Sequence, residues 1–566
     1  MATGTGTVTD MATRSPSKAT QWAWRGEEPV LKNFVPIRPS RGGVVTVIAG
    51  TLVVFLPSVW AQNSSGSLGI SIVPRISVAE TYTNNVSLSS TSKQAELITE
   101  ISPGIRLTSN GGRIKGSLDY SLTEQVYARG TSGRRSQNAL NAVGSIEAVD
   151  NWAFVDVSGT IGQQSISAFG APVGDGTAVN GNSTETTVFR LSPYVRGRFG
   201  SQAEYEARYS LTSSSSRSAA VSDVDSRELS LRLNGSGSRR GAGWSLSANR
   251  QTIDFSSSRS TSSQRINGEL NYPFSDRWGT YVRASHESND YVAATTQSQN
   301  FTALGLTFTP NDEAQFSIDH DTGGATGLTI KWAPSKRTSV LVTRERRLFG
   351  ETQNIALTYR TSNTAWTFSD TRGTVTSTSL STGAAPSSLY DLLLAQFSAG
   401  EADAVKREQY GAFLQANGIK PAATAIGGFL TSALSLQNQQ QVSFALFGAR
   451  NTISLTASRS SNTRLDTSSV AIDDLSTNSE VRQNGLIVNF SHRFTPNSTL
   501  NVVAARQNAS GSAGQTGTST KSIHVNMSTR LTKDATASIG TRRIVFDSAT
   551  APYTETAVTG NLNVQF

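Results

Sequence analysis

Gly104–Leu122 reads GIRLTSNGGRIKGSLDYSL. Ile105 and Leu107, following Ile101, alternate with polar residues up to Ser109-Asn110-Gly111-Gly112, and Ile114, Leu118, Tyr120 and Leu122 alternate away from it. Period-two alternation marks a strand with one apolar and one polar face, and Asn-Gly tolerates the positive φ of a tight hairpin. The same grammar returns in FRLSPYVRGRFGSQAEYEARYSL, LGLTFTPNDEAQFSIDH, LIVNFSHRFTPNSTLNVVAA and IHVNMSTRLTKDATASIG. The alternation predicts an all-β chain of about 24 strands from Gln62 to Phe566.

Composition agrees. The 566 residues are 36% apolar and only 16% charged, yet include 22 Phe and 13 Tyr, a combination unlike a disordered chain. No cysteine is present, so disulfides and thiolate metal sites are excluded. The formal charge is +9, but the arginines are scattered singly through alternating segments, so no nucleic-acid partner is expected.

Connections sort by parity. Short turns (SNGG, FGSQ, PND, TPNS, TKD) follow even strands, while longer polar loops near 83–96, 165–185, 211–225 and 461–483 follow odd ones; the odd connections near Gly323 and Gly350 are short. A large antiparallel transmembrane β-barrel of the outer-membrane kind has this asymmetry, with tight periplasmic turns and long outer loops. Trp152, Trp244, Trp278, Trp332 and Trp366 all fall beside short turns, where a periplasmic aromatic rim belongs. The terminal AVTGNLNVQF alternates Val558, Leu562, Val564 and Phe566, resembling the C-terminal signal read by the barrel-insertion machinery, and a closed barrel requires this last strand to pair with the first.

Val44–Leu56, VVTVIAGTLVVFL, is a continuous apolar run preceded by Arg38 and Arg41, with Val59 and Ala61 spaced for cleavage. It predicts a signal peptide with an extended n-region over 1–61, the alternative being a single anchoring helix. Residues 383–440 abandon period two. Ser388 and Asp391 resemble a capping box, and Leu392, Leu393 and Phe397, then Tyr410, Phe413 and Leu414, form two helical apolar faces. This helical insert is expected on the outer side, as a lid or plug or as a surface appendage.

Alternation turns Phe189, Leu191, Val195 and Phe199 toward lipid and Arg190, Arg196 and Arg198 toward the lumen, with Arg208 and Arg232 on the following strands. These arginines are candidates for solute contact, since a guanidinium binds two oxygens of a carboxylate or phosphate. With Glu204 and Glu206 one hairpin away, a structural ion-pair ladder is the other reading. His286, His320, His492 and His524 lie on four distant strands with no metal-ligand or nucleophile spacing, so no enzyme, metal or cofactor is expected.

ISVAETYTNNVSL, TEISPGIRL, LDYSLTEQVYA and DNWAFVDVSGTIGQQSISAFG, with FLQANGI in the insert, resemble the PEP-CTERM system-associated outer-membrane β-barrel family. The resemblance runs from about Ile70 onward and implies a place in exopolysaccharide export, beside periplasmic export proteins; it supplies no catalytic residues. The function expected is a conduit or accessory for exopolysaccharide; the alternative is a non-conducting structural or surface-binding barrel, with an outer-membrane hydrolase a distant third.

Overall fold

The computed structural model describes residues 69–109, 111–172, 174, 176–235, 241–256, 260–291, 296–376, 428–465, 473–512 and 517–566. The expected signal segment 1–61 and the helical residues Leu392, Leu393, Phe397, Tyr410, Phe413 and Leu414 lie outside them.

From β1 (Ile70–Thr83) and β2 (Glu96–Ser109) to β24 (Tyr553–Gln565), all 24 strands belong to one antiparallel sheet, each paired with its neighbours in sequence. β24 pairs with β1 from Arg75↔Gln565 to Thr83↔Ala557, closing the sheet on itself. Closure leaves no strand edge, the condition for a sheet to cross lipid. Inside the seam, Ser77 donates to Asn561 at 2.9 Å, Thr81 pairs with Thr559 at 3.0 Å and Thr83 donates to Glu555 at 2.8 Å. Phe566 is tied in by its N–H to the Pro74 carbonyl at 2.9 Å, while Val558 and Leu562 face outward and exposed.

The large exposed apolar side chains are arranged by the pleat. On β8 (Val224–Gly235), Leu229 is 52% exposed; on β12 (Gln297–Asn311), Leu304 is 65%; on β23 (Ala535–Asp547), Ile539 is 62%. In water such a surface would be an error; against acyl chains it is the lipid belt. Trp152, Trp244, Trp278, Trp332 and Trp366 are all 40–46% exposed and all lie at the short-turn end. Trp278 packs on Phe308 and Trp366 on Phe444, with ring centres 4.5 and 4.3 Å apart, and Trp152 donates to the Tyr205 hydroxyl at 2.9 Å. In the first tight turn the positive φ falls on Gly112, at +64°, one residue past the Asn-Gly pair.

Boundaries differ from the sequence reading where strands turn polar on both faces. β18 spans Ser435–Phe447, so 435–440 is strand, not insert; its run of Gln and Asn hid the alternation. β7 (Ala203–Ser216) and β8 likewise extend into what reads as the 211–225 loop, through a run of serines. β19 (Asn451–Arg464) and β20 (Glu480–Arg493) shorten the 461–483 loop, which holds the short helix α1 (Asp474–Thr477). In all three places the strands outrun the apolar belt, and there only backbone pairing marks them. A deletion of the insert therefore has to stop before Gly428 to spare β18.

The belt predicts that Ile539→Arg loses about 2–4 kcal/mol of unfolding free energy when measured by denaturant titration in detergent or lipid. Ser538→Arg, which places the same charge on the lumen side of the same strand, should cost far less.

Candidate functional site: the lumen and its outer mouth

The lumen wall carries charges in compensated sets. Asp119 on β3 (Ile114–Tyr127) accepts from Arg75 of β1 and from Arg106 of β2, the latter at 2.8 Å. Arg208 binds Asp156 of β5 (Ala153–Ser165) at 2.7 Å and Glu206 at 3.4 Å, and stacks 3.8 Å over the Tyr194 ring. Among the other expected lumen arginines, Arg198 pairs with Glu204, and Arg190 bonds to the Ser192 and Ser210 hydroxyls, each at 3.2 Å. Arg196 lies 4.5 Å over Phe154, and Arg232 stands opposite Glu206 in the register. All five share the inward face, as alternation predicted, and for Arg198 and Arg208 the ladder geometry is what the side chains adopt.

A second charged set was not legible in the sequence. Arg265 of β10 (Thr261–Pro273) reaches Glu345 of β15 (Thr338–Arg347). Arg347, also of β15, binds Glu287 of β11 (Trp278–Asn289) at 3.0 Å, and Arg283 of β11 binds Asp319 of β13 (Ala314–Asp321) at 2.5 Å. Strands four and five places apart would stand beyond side-chain reach in a round barrel of this size. The wall between β10 and β15 therefore turns inward, and the strands within it are short: 8 residues in β13 and 10 in β15. Long-range ion pairs join residues 60–80 apart here, so no local pattern announces them.

At the outer end the described loops fold into the mouth. The β5–β6 connection, 166–182, crosses it, with β6 spanning Ser183–Phe199. The Gly176 carbonyl accepts from Gln125 at 3.0 Å and Gln137 at 2.9 Å, the Thr177 carbonyl from the Tyr127 hydroxyl at 3.0 Å, and the Ala178 carbonyl from Arg135 at 3.1 Å. The Val179 N–H donates to Val86 of the β1–β2 loop at 2.9 Å. Thr177 is fully buried and its hydroxyl accepts from Arg542 at 2.9 Å, while Arg542 also binds Glu555 at 2.8 Å; these two side chains are 7% and 1% exposed. One loop is thus fastened to opposite sides of the seam strands.

α1 fastens the rest. Asp473, its N-cap, accepts from the Ser432 N–H at 2.7 Å and the Thr431 hydroxyl at 3.2 Å. Asp474 accepts from the Ser167 hydroxyl at 2.7 Å and the Ala168 N–H at 2.6 Å. Burial pushes the Asp474 carboxyl above its usual range, outweighing these hydrogen bonds. Because burial holds the folded-state value above the unfolded one, the contribution of this group to stability is greatest below the unfolded value and is lost as pH rises through the folded one. Phe429 and Leu475 pack beside Val481, with Ala168 and Phe169 against them, and Leu434 joins Val224, Ile253, Phe255 and Tyr291. Among the described residues no group of three His, Asp or Glu side chains is placed to hold a metal.

These features define an integral outer-membrane β-barrel with an outer mouth filled by its own loops. No family model and no curated protein matches the chain. Among solved structures it is similar to the FrpB iron transporter of Neisseria meningitidis in its apoprotein form, at 10% identity and TM-score 0.43, over 87% of this chain and 81% of that one. It is also similar to BauA, the ferric preacinetobactin receptor of Acinetobacter baumannii (10%, TM-score 0.40, 88% and 80%), and to the copper transporter OprC (9%, TM-score 0.37, 89% and 82%). Likenesses of this degree say nothing of what passes through the lumen.

Arg542→Met leaves the buried Glu555 carboxylate without its cation and is expected to cost about 3–5 kcal/mol in unfolding titrations. The double variant Arg542→Met/Glu555→Leu should recover most of that loss. Thr177→Val, which removes the loop's contact with Arg542 but keeps the Arg542–Glu555 pair, should leave the barrel near wild-type stability while loosening the mouth, read as faster proteolysis within 166–182.

Proposed function

We propose that this barrel is a gated conduit for a hydroxyl-rich polymer, an exopolysaccharide being the solute class. The observation that carries the reading is the fastening of the mouth. Loop 166–182 is held by side chains of β3, β4 (Arg134–Val149) and β23 through hydrogen bonds to its backbone and to Thr177, not by continuation of the sheet. Such contacts can be exchanged one at a time for those of a passing chain of hydroxyls. The wall below suits the same solute. Its inward faces carry many hydroxyls and amides, including Ser77, Asn561, Ser192 and Ser210, and many of its charges are compensated within the wall.

The resemblance to PEP-CTERM-associated barrels supports the same direction and adds periplasmic export proteins as partners, with the barrel-insertion machinery engaging the strand that ends in Leu562, Val564 and Phe566. On this reading Arg190, Arg196 and Arg232 line the path, while Arg198 and Arg208 chiefly hold the wall. One observation favours a second reading, a barrel that does not conduct: the inward turn between β10 and β15 is cross-braced by Arg265–Glu345 and Arg347–Glu287.

Planar-bilayer recording separates the two. The conduit reading expects a wild-type barrel that is mostly closed, and stepwise conductance several-fold larger after deletion of Gly170–Gly181 with the ends rejoined. Silence in both, from barrels that migrate as folded, would establish the non-conducting barrel. Loss of secreted polysaccharide on gene deletion, restored by wild type but not by a disulfide-locked mouth, tests the solute class.

A further inference from the structure

The outward face of β19 to β23 carries a strip of cations just beyond the lipid belt, on the long-loop side. Arg459 on β19, Arg482 on β20, Arg506 on β21 (Ser498–Gly511), Lys521 on β22 (Thr518–Arg530) and Arg543 on β23 are all exposed. Register puts all five on the lipid-facing surface, with Arg506 directly opposite Lys521, Arg459 and Arg482 offset by two residues, Arg543 two residues from the level of Lys521, and Arg482 four from that of Arg506. Arg506 pairs with Leu486 on one side and Lys521 on the other, and Arg543 pairs with Ile523. Leu486 and Ile523 are themselves outward and exposed, at 43% and 45%, so each cation stands at the upper edge of the apolar belt.

Charge on this strip is compensated only in part among the described residues, and Glu480 also feels the charge of Arg459. Glu480 takes Arg482 at 2.6 Å and Asp547 takes Lys521 at 3.7 Å. Among the described residues no carboxylate lies within ion-pair distance of Arg459, Arg506 or Arg543. Two outward arginines elsewhere are paired, Arg227 with Asp254 at 2.5 Å and Arg344 with Glu351 at 2.6 Å, whereas Arg346 bonds only the Gly323 carbonyl, at 3.1 Å. At the edge of the hydrocarbon layer a guanidinium costs little, since its stem lies on the apolar belt while its head reaches the headgroup layer, where anions are its natural partners.

We infer that this strip binds the phosphate groups of an anionic glycolipid in the outer leaflet, with its acyl chains lying on the apolar belt beneath. Three matches support it. Height sets the cations where headgroups lie. A guanidinium offers the paired N–H donors that phosphate oxygens take bidentately. Five strands at about 4.8 Å spacing span roughly 20 Å, enough for one disaccharide headgroup carrying a phosphate at each end. The inference depends on the barrel's lying in the outer membrane and not on conduction.

Native mass spectrometry of the full-length, refolded barrel tests it, with a bisphosphorylated glucosamine-disaccharide lipid and its dephosphorylated counterpart as probes. Wild type is expected to retain the phosphorylated lipid about tenfold more than the dephosphorylated one. The variant Arg459→Gln/Arg506→Gln/Arg543→Gln should lose that preference, while Arg227→Gln/Arg344→Gln keeps it; heat-modifiable migration confirms that each is assembled. Equal retention of both lipids by wild type overturns the inference without need of any variant. Displacement of the lipid by millimolar inorganic phosphate would also overturn it, assigning the strip to a free anion.

Discussion

Hydrocarbon offers no hydrogen bonds, and every part of this structure answers to that. A sheet can cross lipid only if each backbone N–H and C=O finds a partner in the sheet, which forces closure. The pairing of β1 with β24 is therefore the contact on which the other strands depend, although it joins the two ends of the described chain. Its lumen face is zipped by hydroxyl and amide pairs at Ser77–Asn561 and Thr81–Thr559, which add direction to a joint that backbone bonds alone would leave free to slip. Its outward face is apolar at Val78, Val558 and Leu562.

Closure also sorts charge. Inside, cations and carboxylates meet across strands, as at Arg75–Asp119–Arg106 and Arg283–Asp319, so the wall carries many charges with little net field. Outside, cations remain in excess along one sector of the rim. Which face each cation takes is a property of register and not of composition.

The architecture was legible because lipid imposes period two. Tight turns, parity of loop length and five tryptophans beside short turns each report the same geometry, and the faces of Arg190 through Arg232 follow from counting alone. Legibility ends where the belt ends. The glutamines of β18 and the serines of β7 and β8 pair as strands although neither face is apolar, so their boundaries were misplaced. The mouth was also hidden. Thr177, Gln125 and Arg542 are ordinary polar residues in sequence, and only the curl of the sheet brings them together. The cross-wall pairs between β10 and β15 escape for the same reason, since nothing local distinguishes Arg265 from an arginine that faces an empty lumen.

The fastening of Thr177 to Arg542 spans 365 positions of the chain, and Thr83 reaches Glu555 across 472. Neither contact can exist until the last strands are in the membrane. Loop 166–182 is synthesised early and finds most of its seat on β3, β4 and the β1–β2 loop, but its tie to Arg542 waits for β23. Mouth closure is therefore a late event in assembly, coupled to completion of the seam. A barrel stalled before that step would lack the Thr177–Arg542 and Thr83–Glu555 ties and leave that side of the mouth unfastened. Sealing of the mouth thereby doubles as a readout of finished folding, written into the topology by the distance between its two halves.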